Sequence, residues 1–319
     1  MESKIGFEGV LTGSYSDFSS ITGCTVFIFP EGATAAAIVM GGAPGTRSMD
    51  SLFLDRNPTK IYGILFTGGS AFGIDAAEGV VQFLKENNIG LKIDHLIVPV
   101  VPTAVIFDLF VGRPEAPTAE NAYSACSKVS ITVHNGSFGA GTGAVVGKLN
   151  TARFGTKGGQ GYSEVEIYKG VRVGCFTVAN AFGDIRIGDR IIAGARNPQT
   201  GKFIDTRASL MKGVIREIPG IYTQNTTLSL VITEAYLNKA QAYRVAAMAL
   251  SGMARVIDPV WTIYDGDIVI VASVGDKKVD ISAVGAAAAL ALEKSIITAI
   301  RQARGLGGIP SASEIGSLS

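Results

Sequence analysis

The chain has 319 residues, 47% hydrophobic and 17% charged, which is enough for one large domain or two ordinary ones with a sizeable core. Lys plus Arg (28) nearly balance Asp plus Glu (27) and form no basic stripe, so we expect neither nucleic acid nor an acidic membrane surface as a partner. Mean hydropathy is positive, yet Gly, Pro and charged residues interrupt every apolar run of about 20 residues, which argues against a membrane span.

The cysteines and histidines limit the chemistry further. Cys24, Cys126 and Cys175 are odd in number, widely spaced and set among apolar residues, which favours reduced core thiols and a cytoplasmic protein. His95 and His134 lack the Cys/His spacing of a zinc site, and a histidine-based triad is hard to build from two histidines. We therefore expect no metal and no organic cofactor, and a substrate that is small or only locally charged.

Apolar runs predict a mixture of strands and helices along the whole chain, with extensive antiparallel sheet covered by helices. The first two strands are expected to form a hairpin through Pro30-Glu31-Gly32, and Lys169-Gly170 is expected to turn another. Residues 184–204 are expected to form an irregular surface excursion. Predicted strands cover 23–29, 35–40, 61–66, 96–101, 165–168, 171–178, 227–233 and 267–273. Predicted helices cover 73–86, 120–129, 207–217, 239–256 and 282–303.

The glycines are numerous and clustered. Forty occur, many of them in segments that border apolar runs, so we expect tight connections where the backbone closely approaches a substrate or another subunit. Gly69, Ser70 and Gly143 are predicted to lie at the substrate-binding site. The glycine-rich segments cover residues 41–47, 67–73 and 136–147.

The tripeptide Asn225-Thr226-Thr227 opens directly onto an apolar, β-branched run, which predicts a hydroxyl residue at the mouth of a buried strand. On its own this pattern is more typical of a turn and a strand start. It also suits an enzyme that cuts its own chain before Thr226 and thereby frees an α-amine beside the hydroxyl. Such an amine has a pKa of about 8, so a fraction of it is unprotonated at neutral pH and can accept the hydroxyl proton. An exposed, linker-like segment through Pro219-Gly220 is expected to precede the cleavage site.

Two further positions combine polar side chains with the ends of apolar runs. Asp265-Gly266-Asp267 enters a buried strand; a turn capped by Asp is the ordinary interpretation. In the functional interpretation the two carboxylates lie on the same side, one orienting the Thr226 hydroxyl and amine and the other holding the ammonium form. Asn180 ends another strand, where its NH₂ group would donate to the oxyanion of a tetrahedral intermediate.

Lys148 follows a glycine-rich segment, but a phosphate-binding loop is excluded there. Thr142 stands where that loop needs its first glycine, and Leu149 replaces the Ser or Thr that would bind magnesium. A lysine in such a segment is most often a solvated surface residue. In the functional interpretation Lys148 binds a substrate carbonyl or assists proton movement.

Together these motifs resemble the L-aminopeptidase/D-esterase family, which includes β-peptidyl aminopeptidases and nylon-oligomer endo-hydrolase and lies near the ornithine acetyltransferases. The resemblance implies an α+β fold of the αββα sandwich type. It further implies a single N-terminal-nucleophile domain (1–319) that self-cleaves into chains 1–225 and 226–319, and a homo-oligomer, often a tetramer. The motifs that carry it are residues 41–47, 67–77, 139–143, Asn180 with Gly183, 225–227 and 265–267.

Carried over by residue, Thr226 matches the nucleophile, Asn225-Thr226 the scissile bond and Asn180 the amide that binds the oxyanion or orients the substrate. Asp265 and Asp267 match the pair behind the nucleophile, and Lys148 matches the lysine of the nylon-hydrolase branch. The aminopeptidase branch commonly has a serine nucleophile, Ser-Gly-Glu in place of the acidic pair, and a tyrosine near the lysine position. The site chemistry therefore resembles the nylon hydrolases, whereas the amino-terminal glycine motifs resemble the aminopeptidases.

The sequence thus predicts a self-processing hydrolase of amide bonds in small peptides, amino-acid amides or linear nylon-type oligomers. Two alternatives remain open: N-acyl transfer between amines, as in the acetyltransferase relatives, and an uncleaved binding homologue without the chemistry. The complete set of polar residues at Thr226, Asn180, Asp265 and Asp267 favours an enzyme.

Overall fold

The computed structural model describes residues 1–57, 60–213 and 225–316. Within these residues nine strands form one large sheet, whose order is β6-β7-β8-β9-β2-β4-β5-β3, with β1 paired to β2. Among its described pairings, β8–β9 and β4–β5 are parallel and the others antiparallel. The strands are β1 (Leu11–Asp17), β2 (Thr22–Val39), β3 (Thr46–Arg47), β4 (Lys60–Thr67), β5 (Thr103–Val105), β6 (Gly159–Ile167), β7 (Val171–Asn180), β8 (Thr226–Ala235) and β9 (Ile268–Lys277).

Helices and short strands complete the described part of the chain. The α-helices are α1 (Ala77–Glu86), α2 (Ala119–Cys126), α3 (Thr206–Met211), α4 (Lys239–Val256), α5 (Ile281–Arg301) and α6 (Ala312–Gly316). Strands outside the large sheet are Glu2–Lys4, Leu91–Ile93, Leu96–Val98, Thr132–His134, Val145–Val146, Thr156–Lys157, Asp184–Ile187, Arg190–Ala193 and Ile257–Asp258.

The long strand β2 divides the large sheet into two layers. Its first half pairs with β1 and β4, and its second half pairs with β9. Between the halves its register with β4 shifts at Ile28/Ala33, where Gly32 adopts a left-handed φ of 72°. The predicted hairpin at Pro30-Glu31-Gly32 is therefore wrong, because these residues bulge out of a continuous strand without reversing it.

Alternating side chains of the sheet fill three apolar layers. Phe27, Phe176 and Leu230 belong to a core between the two sheet layers. On one outer face Val231 belongs to the core beneath α4 and α5, and on the other Val26 belongs to the core beneath α1 and α2. The resulting order of helices, sheet, sheet and helices is the αββα sandwich of the α+β class, which confirms the predicted fold.

Most other predicted elements are present, with local corrections. The β6–β7 hairpin turns at Lys169-Gly170, where both residues have positive φ. Residues 184–204 are more regular than expected, because Asp184–Ile187 and Arg190–Ala193 pair as antiparallel strands. The helix predicted over 207–217 ends at Met211 as α3; residues 214–217, like the Pro219-Gly220 segment, lie outside the described residues.

Helix α5 departs from the expectation that no apolar segment is long enough to span a membrane. By length and composition Ile281–Arg301 meets that condition, but 61% of the apolar window is buried inside the protein. Its small side chains pack in the core against β6 and β7, which is the usual place of such a helix in a packed domain.

Phe176 tests the central core. Its ring lies 4.9 Å from the ring of Phe27 and 5.9 Å from that of Phe66, and the side chain is fully buried. We expect Phe176→Ala to lower the free energy of unfolding by about 3–5 kcal/mol, because it leaves a cavity between the sheets. Phe72, which is 74% exposed, provides the matched control, and Phe72→Ala should change stability by less than about 0.5 kcal/mol. Equal losses in a urea titration would contradict this packing.

Candidate active site

The predicted nucleophile and the predicted oxyanion amide lie at adjoining strand ends. Thr226 is the first residue of β8 and Asn180 is the last residue of β7. The antiparallel register pairs Asn180 directly with Thr226, and directly opposed residues project their side chains to the same face. Both residues are buried, at 0% and 2% exposed. The ladder therefore brings together two residues that are distant in sequence.

The main chain around the Asn225–Thr226 peptide bond is firmly held. The Asn225 N–H donates to the Tyr264 carbonyl at 2.8 Å, and the Asn225 carbonyl accepts from the Gly266 N–H at 2.5 Å. The Thr226 hydroxyl donates to that same carbonyl oxygen at 2.6 Å. Two donors on one carbonyl polarise it, and one of them is the hydroxyl predicted to attack it.

Gly266 is required by the close packing at this point. A Cβ built on it would lie 2.8 Å from the Thr226 hydroxyl oxygen and 2.8 Å from the Ala43 carbonyl oxygen. The glycine of the Asp265-Gly266-Asp267 motif thus lets the loop main chain reach the Asn225 carbonyl.

The candidate scission site is buried rather than exposed. Asn225 is 0% exposed, which contradicts the expectation of a cut on an exposed segment, although residues 214–224 of that segment lie outside the described residues. Burial is compatible with self-cleavage, because the attacking group belongs to the same chain and needs correct position rather than access from solvent.

The two acidic side chains hold main chain around the nucleophile. Asp267 Oδ1 accepts from the Thr227 N–H at 2.6 Å, and its Oδ2 accepts from the Trp261 N–H at 3.3 Å. Asp265 accepts from the Phe182 N–H at 3.0 Å and from the hydroxyl and N–H of Thr262. Within the described residues neither carboxylate accepts from the Thr226 hydroxyl, which donates to the Asn225 carbonyl, so the predicted direct orientation of that hydroxyl by an acid is absent.

Burial gives the acidic pair an unusual protonation. It raises the pKa of Asp265 and raises that of Asp267 well above the ordinary value, and the neighbouring Asp265 charge raises the pKa of Asp267 further. The charge of Lys148 acts in the opposite sense on Asp265. Because two adjacent buried carboxyl groups resist double ionisation, the pair holds a proton more strongly than isolated carboxyl groups would.

Lys148 is a buried neighbour of Asn180 and not a solvated surface residue. It is 3% exposed, and its ammonium donates to Asn180 Oδ1 at 2.7 Å. The Val145 N–H donates to the same oxygen at 3.0 Å. These two donors fix the orientation of the amide. Its NH₂ group points toward the Phe107 carbonyl, to which it donates a long hydrogen bond of 3.4 Å. The amide retains a weakly engaged donor, as an oxyanion-binding group requires.

Asp108 lies beside this pair and was not recognised in the sequence. It lines, with Phe107, Lys148 and Asn180, a cavity of about 10 Å³, which has room for about one water molecule. The available signal was an acid placed directly after the apolar run 104–107, just as Asn180 stands at the end of an apolar run.

Two of the predicted substrate-binding residues contact Asp108. The Gly69 N–H donates to Asp108 Oδ1 at 2.7 Å, and a Cβ on Gly143 would lie 2.4 Å from Asp108 Oδ2. Ser70 is buried beside them, where its N–H donates to the Ile106 carbonyl at 2.9 Å and its φ is 53°. The glycine-rich segments therefore approach a carboxylate that borders the Lys148–Asn180 pair.

Lys157 is a second buried ammonium near Asp108. It is fully buried and donates to the carbonyls of Thr142 and Ala144 at 2.9 and 2.6 Å. Burial lowers its pKa to about 7, opposed by the charge of Asp108. Burial likewise raises the pKa of Asp108 to about 6, opposed by hydrogen bonds from Gly69 and Thr22 and by the charge of Lys157. Asp108 binds the main chain at Gly69, and Lys157 binds the main chain at Thr142 and Ala144, so the pair connects two of the glycine-rich segments beside the cavity.

Comparison with known proteins assigns the family. The model of peptidase family S58 matches residues 5–312. The chain belongs to peptidase family S58. It is accordingly a hydrolase, which confirms the resemblance and the enzyme class drawn from the sequence.

The relatives of this S58 chain include both an aminopeptidase and a nylon-oligomer hydrolase, the two branches that its motifs resemble. An uncharacterised aminopeptidase of Mycobacterium tuberculosis is 34% identical over 314 residues, covering 90% of this chain and 88% of the relative. A 6-aminohexanoate-oligomer endohydrolase of Kocuria sp. is 30% identical over 271 residues, covering 83% and 72%. The solved L-aminopeptidase D-Ala-esterase/amidase of Ochrobactrum anthropi, described as a variant of the Ntn-hydrolase fold, aligns with a TM-score of 0.69 at 18% identity, covering 95% and 86%.

Asp108 makes stability depend on pH in a definite direction. Because folding raises its pKa from about 3.8 to about 6, the folded protein binds this proton more tightly than the unfolded chain, and stability falls as pH rises through that interval. Asp108→Asn should remove a fall of about 2 kcal/mol between pH 4 and pH 6, out of about 3 kcal/mol over the whole titration, measured by urea unfolding. Asp75→Asn, at an exposed site, should leave the wild-type profile unchanged. A wild-type profile in Asp108→Asn would contradict the assignment.

Proposed function

We propose that this S58 hydrolase is activated by self-cleavage between Asn225 and Thr226 and then hydrolyses amide bonds with Thr226 as its nucleophile. The observation that carries the proposal is the contact of the Thr226 hydroxyl with the carbonyl oxygen of its own preceding peptide, at 2.6 Å. The Gly266 N–H on the same oxygen supplies the stabilising donor that an attacked carbonyl needs.

In the maturation step Thr226 Oγ1 attacks the Asn225 carbonyl carbon, and negative charge develops on the oxygen held by Gly266. The C–N bond then breaks, the nitrogen takes a proton and becomes the α-amine of Thr226, and an ester joins the two segments. Water hydrolyses the ester to give chains 1–225 and 226–319.

In the amide-hydrolysis step the free Thr226 amine accepts the hydroxyl proton, and Oγ1 attacks the substrate carbonyl. The Asn180 NH₂ group binds the resulting oxyanion, and Lys148 holds the Asn180 amide in place and adds positive charge at the site. The leaving amine departs with a proton, and water releases the acyl group from Thr226. Asp267 maintains the main-chain position beside the nucleophile through the Thr227 N–H.

The proposed substrates are small peptides, amino-acid amides and linear polyamide oligomers. Support comes from the aminopeptidase and 6-aminohexanoate-oligomer relatives.

Substitution of Thr226 tests the nucleophile. Thr226→Ala should reduce hydrolysis of alanine p-nitroanilide and of linear 6-aminohexanoate oligomers by at least about 10⁴-fold, because no other group replaces the hydroxyl. Thr226→Ser retains a hydroxyl and should retain measurable turnover. Thr233 lies buried at the other end of β8, so Thr233→Ala provides the matched control and should retain activity when corrected for folded protein. Wild-type kcat in Thr226→Ala would overturn the proposal.

A further inference from the structure

A large groove lies away from the residues of the candidate active site. It has a volume of about 730 Å³, in the range of about 300–1,000 Å³ typical of small-molecule sites. Its walls are the strand Arg190–Ala193, the loop 196–203, the end of α5 and helix α6. None of its lining residues lines the cavity at Lys148 and Asn180.

The floor of the groove is apolar. Ile191, Ile192 and Phe203 approach from one side, and Ile300 and Ile315 from the other. Ile300 is 1% exposed and belongs to the core beneath α5, so this part of the floor is fixed by the packing of the sandwich. A ligand here would bury aliphatic surface.

Four cationic side chains line the same groove: Arg190, Arg196, Lys202 and Arg301. Within residues 1–57, 60–213 and 225–316, none of the four forms an ion pair, and none of the groove's lining residues is Asp or Glu. Glu314, the acid on α6, instead accepts hydrogen bonds from the N–H and hydroxyl of Ser311. Among the residues that the structure describes, no carboxylate pairs with the positive charge in this groove.

Arg196 is the best anchored of these cations. Its Nε donates to the Gly155 carbonyl at 3.0 Å and its Nη2 to the Arg153 carbonyl at 3.1 Å. These neutral acceptors fix the plane of the guanidinium without cancelling its charge. Burial lowers the pKa of Arg196, which indicates partial desolvation of a charge that an anion would stabilise.

We propose that the groove binds an aliphatic monoanion, a medium-chain hydrocarbon ending in a carboxylate, with the chain on the isoleucine floor and the carboxylate among Arg196, Arg190 and Arg301. An apolar floor rimmed by unpaired guanidinium groups matches both parts of such a ligand, since guanidinium binds carboxylate in a planar, two-point geometry. The inference is independent of the chemistry at Thr226.

Calorimetric titration of the full-length protein with decanoate tests the proposal. Decanoate should bind, whereas decyltrimethylammonium, which has the same chain and the opposite charge, and acetate, which lacks the chain, should bind at least about tenfold more weakly, since each loses one of the two interactions. Equal binding of the cationic detergent would reveal only apolar adsorption, and equal binding of acetate only an adventitious anion site. Either result overturns the proposal.

Charge-reversed variants locate the site. Arg301→Glu should weaken decanoate binding at least about tenfold. Lys294 is an exposed cation earlier on the same helix and outside the groove, so Lys294→Glu, with the same charge change, should bind decanoate within about twofold of wild type. Equal effects of the two variants, or no decanoate binding accompanied by concentration-dependent dimerisation in sedimentation, would show that the groove does not hold this ligand.

Discussion

The antiparallel ladder between β7 and β8 is the constraint on which the candidate site depends. It places Asn180 opposite Thr226, and the pairing of β8 with β9 on the other side begins two residues later, at Leu228. The loop before β9 then closes on the same strand end, where Gly266 and Tyr264 hold the main chain of Asn225. A slip of one residue in this ladder would send the Thr226 side chain to the opposite face of the sheet.

Burial determines the chemistry that the site can perform. Four ionisable side chains, Asp108, Lys157, Asp265 and Asp267, have pKa values displaced toward their neutral forms because water is excluded around them. The αββα sandwich allows this by covering the strand ends with glycine-rich segments, whose main chain approaches the carboxylates directly. The same exclusion of water strengthens each hydrogen bond at the Asn225 carbonyl and at Asn180.

Sequence reasoning succeeded where local pattern controls structure. Thr226 and the acidic pair directly precede apolar runs and Asn180 directly follows one, so their positions at strand ends could be predicted, as could the layered fold through the family resemblance. The pairing of Asn180 with Thr226 could not, since register between distant strands depends on tertiary packing. Lys148 and Lys157 both resemble surface lysines in glycine-rich sequence, because the segments that bury them come from elsewhere in the chain. The sequence also predicted two strands in place of the single strand β2. Residues such as Pro30-Glu31-Gly32 are common both in a turn and in a bulge, and local sequence does not distinguish the two.

The central proposal is that the Thr226 hydroxyl attacks and cleaves the peptide bond between Asn225 and Thr226. Intact mass of the purified wild-type protein after incubation near neutral pH tests this most directly. We expect two fragments that meet at Asn225/Thr226, formed at a rate independent of protein concentration because the reaction is intramolecular. A chain that stays at full mass, or one cut at any other bond, would contradict it.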